Sequence, residues 1–152
     1  VGSEMCIRDS NTGDDKRAFK AYKKALDYNP NNILVLNNYA YYMSLEGREL
    51  ERALEMSYIA MSAEPNNASY VDTYAWILHL LGRNDEAKRY MRQALTLSSQ
   101  RDASLLCHYA DILWALGERF MAETYWQKAV ERGYDKQEME SHIAEIKANT
   151  KQ

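Results

Sequence analysis

Apolar residues recur three or four positions apart along most of the chain. Leu36, Tyr39, Ala40 and Met43 form one such set. This spacing places the side chains on one face of an α-helix. Only two prolines and six glycines interrupt the 152 residues, which favours a mostly helical chain. The pattern predicts eight helices, at about residues 14–28, 33–46, 49–63, 68–81, 84–97, 102–116, 119–132 and 136–149.

The pattern returns with a period of 34 to 35 residues. The glycines follow this period at Gly13, Gly47, Gly82 and Gly117. Three alanine series follow it as well, at Ala18, Ala53, Ala87 and Ala122, at Ala25, Ala60, Ala94 and Ala129, and at Ala40, Ala75 and Ala110. Repetition at this period indicates a solenoid of stacked structural units. Small alanines seven positions apart on a helix allow a neighbouring helix to approach closely.

Proline, asparagine, glycine and aspartate mark the helix boundaries. The segments 30–32 and 65–67, both Pro-Asn-Asn, are predicted to end one helix and to N-cap the next. A glycine after the first helix of each pair predicts a left-handed C-cap before a tight turn. Asp102 is a predicted N-cap, and Asp135 with Glu138 resembles a capping box.

These features resemble the tetratricopeptide repeat family. Leu36, Tyr39, Ala40 and Met43 match the family's first helix, and the same spacing recurs at Val71, Tyr74, Ala75 and Leu78 and at Leu106, Tyr109, Ala110 and Leu113. The resemblance implies an all-α solenoid, a right-handed superhelix of antiparallel helix pairs with a C-terminal capping helix. It predicts a repeat domain at 11–134, made of a half repeat at 11–32 and repeats at 33–67, 68–101 and 102–134, with the capping helix at 135–152.

Residues 1–10 do not share the pattern. Their sequence, VGSEMCIRDS, matches the in-frame translation of a transposase-type sequencing adapter. We therefore interpret them as a non-native segment and exclude them from the fold prediction. The remaining chain is then the C-terminal fragment of a longer repeat protein, and its first helix lacks a partner. Phe19, Tyr22 and Leu26 are expected to form an exposed apolar patch that could cause artefactual self-association.

Charge and composition limit the classes of partner. The chain has 19 Lys and Arg against 22 Asp and Glu, a formal net charge of -3. Nucleic acids require a basic footprint, so they are excluded as the main partner. No apolar run approaches the roughly 20 residues of a membrane span, so we expect no membrane insertion.

No catalytic constellation is visible in the sequence. His79, His108 and His142 fall on three different predicted helices. Adjacent residues on a helix point about 100° apart, which disfavours a metal shared by Cys107 and His108. No phosphate-binding or metalloprotease motif occurs. The sequence therefore predicts a non-enzyme without cofactor or metal.

The resemblance implies a concave groove, lined by the first helix of each repeat, that binds a peptide. Carried onto this chain, the groove residues are Leu34, Asn37, Tyr41, Ser44, Ser69, Asp72, Trp76, His79, Ser104, Cys107, Asp111 and Trp114. Aromatic rings supply large contact area, and an asparagine amide could hold an extended backbone by paired hydrogen bonds. Alternatively, Tyr41, Trp76 and Trp114 pack against neighbouring helices, or against the missing upstream repeats, and not against a ligand.

The chemistry of the predicted groove limits the types of ligand that it can bind. The twelve residues include no Lys or Arg, so the family's carboxylate clamp, which grips an acidic chain end, is not matched. Asp72 and Asp111 make the groove mildly acidic. We therefore expect an uncharged or basic segment with aromatic or apolar side chains.

The resulting functional hypothesis is a non-catalytic scaffold that binds a protein or peptide in this groove. One alternative is that the repeats form a substrate-recruiting arm of an enzyme, a protease, transferase or sensor kinase, whose catalytic domain lies upstream. A structural role as part of a longer solenoid is another. The segments 36–41 and 70–76 resemble long repeat proteins of Bacteroidetes-type bacteria, and this bacterial resemblance leaves periplasm, cell envelope and cytoplasm open.

Overall fold

The computed structural model describes the backbone of residues 12–150 and the side chains of residues 16–150. This part of the chain contains eight α-helices and no strand. They are α1 (Thr12–Tyr28), α2 (Ile33–Glu46), α3 (Leu50–Ala63), α4 (Ala68–Leu80), α5 (Asn84–Leu97), α6 (Ala103–Ala115), α7 (Arg119–Glu131) and α8 (Lys136–Asn149). The predicted all-α fold class is confirmed, and every predicted helix boundary lies within two residues of the observed one. The adapter-like residues 1–10 lie outside the described residues.

Side chains at the predicted boundaries cap the helices. The side-chain oxygens of Asn32, Asn67 and Asp135 each accept a hydrogen bond from the backbone N–H three residues ahead, over 2.9–3.2 Å. Asp102 accepts from two backbone N–H groups at the start of α6. Each cap satisfies donors that the first helical turn leaves unpaired.

Within the described residues, the turns between helices use left-handed backbone at four glycines and three other residues. Gly47 adopts φ 66° after α2, and its N–H donates to the carbonyl of Ser44. Between its glycine and the start of the second helix, the α2–α3 turn has one more residue than the later hairpin turns, and Glu49 there adopts a φ of 46°. Between α5 and α6, where the earlier repeats have Pro-Asn, Ser99 and Gln100 both adopt positive φ. A non-glycine residue in this region costs about 1 kcal/mol or more, so surrounding contacts hold these turns.

The alanine series lie where the helices meet. All nine alanines of the three series on α2 to α7 are fully buried: Ala40, Ala53, Ala60, Ala75, Ala87, Ala94, Ala110, Ala122 and Ala129. The hairpins α2–α3, α4–α5 and α6–α7 pack most closely, and each second helix also packs against the next first helix. The short alanine side chains permit this two-sided packing.

The first helix is less exposed than its sequence suggested. The Phe19 and Tyr22 rings lie 5.5–6.4 Å from the rings of Tyr39 and Tyr42 on α2. Phe19, Tyr22 and Leu26 are half-buried against the core. The expectation that these three side chains form an exposed patch is therefore wrong, because a second helix packs against the following first helix as well as its own partner. Self-association through α1 stays a prediction.

The last helix uses the apolar face that the sequence indicated. Met139 is buried, while Ile143 and Ile146 are half-buried against the core. Within residues 12–150, no helix has the length and apolar character needed to cross a bilayer.

The alanine contacts generate a stability prediction. Ala94 is fully buried on α5, so Ala94→Leu should lower the free energy of unfolding by about 1–3 kcal/mol through overpacking. The matched control is Ala63→Leu, because Ala63 ends α3 and is exposed. It should change the free energy by less than about 0.5 kcal/mol. Urea denaturation of the three proteins measures both effects, and equal losses would contradict the packing argument.

Candidate functional site

The twelve predicted groove residues lie on α2, α4 and α6, and most of them are buried. Leu34 is 57% exposed, and Ser69 and His79 are half-buried. The other nine are buried: Asn37, Tyr41, Ser44, Asp72, Trp76, Ser104, Cys107, Asp111 and Trp114. The inner face of the helix stack is thus largely buried in this structure. The contacts that bury it differ from one repeat to the next.

The first repeat contains a buried amide without an internal partner. Asn37 is fully buried, and neither its side-chain nitrogen nor its side-chain oxygen has a hydrogen-bond partner within the described part of the chain. Leaving a buried polar group unpaired costs about 1–3 kcal/mol. One and two turns further along α2, the Tyr41 and Ser44 positions continue this face, and Ser44 Oγ donates to the Tyr41 carbonyl over 2.5 Å.

The second repeat is joined to the third by a buried polar pair. His108 on α6 donates from Nδ1 to Asp72 Oδ1 on α4 over 2.7 Å, and both side chains are almost fully buried. The Trp76 ring stacks on His108 at 4.2 Å and contacts His79 at 4.8 Å, measured between ring centroids. Trp76 therefore packs against the neighbouring repeat. This agrees with the alternative prediction that its ring contacts a neighbouring helix and not a ligand.

The third repeat contacts α8. Asp111 accepts a hydrogen bond from Trp126 Nε1 at 2.8 Å and from His142 Nε2 at 2.8–2.9 Å. Trp114 Nε1 donates to Thr150 Oγ1 over 3.1 Å. Two inward-facing residues of α6 are thus bonded to α8 and to the residue that follows it.

Cations also lie over the Trp114 ring. The Arg119 guanidinium is 4.1 Å and the Lys147 ammonium 5.3 Å from the ring centroid. Both distances fall within the range of cation–π attraction. The end of the predicted groove therefore has a buried carboxylate beside an indole that already attracts positive charge.

One group of side chains has the composition of a metal site. Cys107, Asp111 and His142 each offer a ligand atom, and these atoms lie within 4.8 Å of one another. Zinc binds cysteine as a thiolate, and Cys107 is disulfide-bonded in this structure, so the group does not fit a zinc site. The hydrogen bonds of Asp111 to Trp126 and His142 account for its burial without an ion.

Sequence reasoning missed the residues that bind the groove side chains. His108 was considered only beside Cys107, although it lies 36 positions after Asp72, close to one repeat period. His142, Lys147 and Thr150 were placed on a capping helix without an assigned contact. His142 and Lys147 are five positions apart, about 140° around a helix, so their spacing indicates no common contact, and nothing in the sequence states where α8 docks.

Burial shifts the pKa of several groups, among them His79 and Tyr134. Burial lowers the pKa of His79, while the Asn84 side chain, 2.6 Å from His79 Nδ1, acts in the opposite direction. Burial raises the pKa of Tyr134, which stays neutral at physiological pH. His79 is therefore a neutral ring that packs beside Trp76, rather than a cation at the groove.

Comparison with known proteins decides the family. The tetratricopeptide repeat family model matches residues 5–135, more than four fifths of the chain. The chain belongs to the tetratricopeptide repeat family. This finding confirms the predicted solenoid.

Solved tetratricopeptide structures share the fold. A thermophilic TPR protein of Thermus thermophilus, TTC0263, is 19% identical over 89% of this chain and 74% of its own, with a TM-score of 0.74. MamA is 16% identical over 99% and 86%, with a TM-score of 0.69. Pseudomonas aeruginosa pilF is 23% identical over 79% and 54%, with a TM-score of 0.64. These identities support the fold alone, and no curated protein sequence matches the chain significantly.

The lowered pKa of His79 predicts a pH-dependent stability term. The unfolded chain takes up a proton on His79 near pH 6.5, whereas the folded chain does so only at lower pH, so acidification favours unfolding. The wild-type chain should therefore lose stability relative to His79→Gln as pH falls below about 6.5. The difference should reach at most about 1.4 kcal/mol at pH 5.5. Chemical denaturation of both proteins from pH 8 to 5.5 isolates this term, and a difference independent of pH would contradict it.

Proposed function

We propose that this protein is a non-catalytic interaction scaffold that binds a segment of a partner protein along α2, α4 and α6. Proteins of the tetratricopeptide repeat family bind other proteins, and the architecture is consistent with that role. The finer proposal concerns the groove, and the observation that carries it is the buried, unpaired amide of Asn37.

The Asn37 carboxamide suits recognition of a peptide backbone. It has two N–H donors and one carbonyl acceptor, so it can bond to a backbone C=O and a backbone N–H together. Since no described residue uses these groups, a bound segment would supply the missing partners. Leu34, one turn earlier on α2 and 57% exposed, offers an apolar contact at the mouth of the same face.

The acidic character of the groove supports a neutral or basic ligand. Asp72 and Asp111 are its only charged members, and both are engaged by histidines in this structure. A segment with a free carboxylate would meet like charge without a Lys or Arg among the twelve residues to offset it. We therefore propose an uncharged or basic segment with apolar side chains. The expected dissociation constant for this segment is about 1 μM, which corresponds to a binding free energy of about -8 kcal/mol.

The alternatives from the sequence differ in what supports them. The bonds between the α8 segment and the third repeat are consistent with a partly structural role for that end of the chain. Nothing in the described residues favours a substrate-recruiting arm of an enzyme over an independent scaffold. Only the scaffold is therefore proposed.

Peptide selection tests the proposal. Peptides selected from a random phage-displayed library on the full chain should bind Asn37→Ala at least tenfold more weakly, because two hydrogen bonds to the ligand are lost. The matched control is Asn38→Ala, since Asn38 is the half-buried neighbour of Asn37 on α2. That variant should retain wild-type affinity in the same fluorescence anisotropy assay.

Stability separates a binding role of Asn37 from a structural one. An amide without an internal partner contributes no hydrogen bond to the fold, so Asn37→Ala should keep or raise the free energy of unfolding. Selected peptides that bind Asn37→Ala as tightly as the wild-type chain would overturn the proposal.

A further inference from the structure

Three side chains of the α8 segment reach residues of α6, although the helix itself lies closer to α7. His142 and Thr150, eight positions apart, bond to Asp111 and Trp114 respectively. Lys147, between them, places its ammonium over the Trp114 ring. Every contact in this group joins a polar or cationic group of the α8 segment to one of the residues predicted to bind a partner.

The packing of α8 against α7 is incomplete by comparison. A cavity of about 370 Å³ lies between these helices, with Trp126 and Val130 on one side and Met139 and Ile143 on the other. The other first helices lie closer to the second helices that precede them, as α4 does to α3 and α6 to α5. At the rim, Lys147 and Glu123 form an exposed ion pair, which stabilises little.

The groove residues therefore contribute part of what holds α8 in place. Met139 is its one buried side chain, Ile143 and Ile146 are half-buried against the core, and the remaining anchors are hydrogen bonds and charge contacts to α6 and α7. Polar contacts of this kind can be exchanged for equivalent contacts from another molecule, because a competing donor satisfies the same acceptor.

The chemistry of the displaced contacts specifies the competitor. Asp111 is a nearly fully buried carboxylate that accepts an imidazole N–H, and the Trp114 face attracts cations. A segment that presents an arginine, lysine or histidine to Asp111, followed by a side chain that packs on Trp114, would reproduce both contacts. An acidic segment would not.

We propose that α8 is an intramolecular occupant of the third-repeat end of the groove, and that a basic segment of the partner displaces it. This inference rests on the proposed function and deepens it, since it assigns the charge of the ligand and a way of regulating access. Binding at Asn37 and binding at Asp111 are then separate contacts, and only the second competes with α8.

The test uses the full chain and a labelled synthetic peptide that copies residues 135–150. In the wild-type protein the attached α8 blocks the site, so the peptide should bind weakly. The double variant His142→Ala, Thr150→Ala loosens the attached helix and should bind the peptide at least tenfold more tightly. The matched control Glu145→Ala changes an exposed residue of α8 and should bind as the wild-type chain does.

Two further changes test the recognition chemistry. Asp111→Asn added to the double variant should abolish the gain, because it removes the negative charge while keeping the oxygen that accepts from Trp126. An unlabelled peptide with Arg at the position of His142 should compete as well as the original peptide, and one with Glu there should not. Equal competition by the Arg and Glu peptides would overturn the assignment of a basic ligand.

A measurement on the wild-type chain covers the case in which the double variant folds poorly. Saturating unlabelled peptide should accelerate hydrogen exchange of the attached α8 and leave α4 unchanged, because only α8 is released. Unchanged exchange in α8, together with no gain of affinity in the double variant, would overturn the inference.

The two proposals fail separately. Asn37→Ala should not alter binding of the 135–150 peptide to the double variant, because that peptide reports only the third repeat. Library peptides that depend on both Asn37 and Asp111 but gain nothing when α8 is loosened would overturn displacement and leave the scaffold proposal standing.

Discussion

The close approach of helices at alanine positions determines the arrangement of everything else in this protein. Nine alanines on α2 to α7 are fully buried where helices meet. Any larger side chain there would push two helices apart, because protein interiors have almost no spare volume. Their period of 34 to 35 residues makes each helix pair a near copy of the last, and so it brings α2, α4 and α6 to the same side of the stack.

Polar contacts between repeats help to stabilise that common side, which is not an open apolar surface. Asp72 bonds to His108 of the next repeat, and Trp76 lies against the same imidazole. A buried hydrogen-bonded pair contributes modest net stability, because desolvation offsets the attraction, but it disfavours arrangements that leave one member unpaired. The polar residues of the inner face therefore favour one register between repeats, and among the described groove residues Asn37 alone keeps both polar atoms unused.

The sequence was sufficient to predict the helices and insufficient to predict what covers them. Asn32, Asn67, Asp102 and Asp135 act through local hydrogen bonds, so their roles could be inferred from neighbouring residues alone. The repeat period likewise assigned Trp76 and Trp114 to the inner face. Their burial depends on contacts with other repeats and with α8, and periodicity states which way a side chain points without stating what it meets. Phe19 shows the same limit, since its position on α1 was clear but its packing on Tyr39 was not.

The two edges of the helix stack are joined by bonds of different kinds, and this difference bears on how the superhelix bends. On the inner edge, α4 and α6 are linked by the 2.7 Å bond between Asp72 and His108, which is shielded from water. On the outer edge, α5 and the start of α7 are linked by Lys88 and Glu118, at 2.9 Å but exposed to solvent. Solvent and salt weaken the outer link far more than the inner one. Changes of curvature in this part of the chain should therefore alter the separation of α5 and α7 more than that of α4 and α6. The superhelix would then bend about its inner edge.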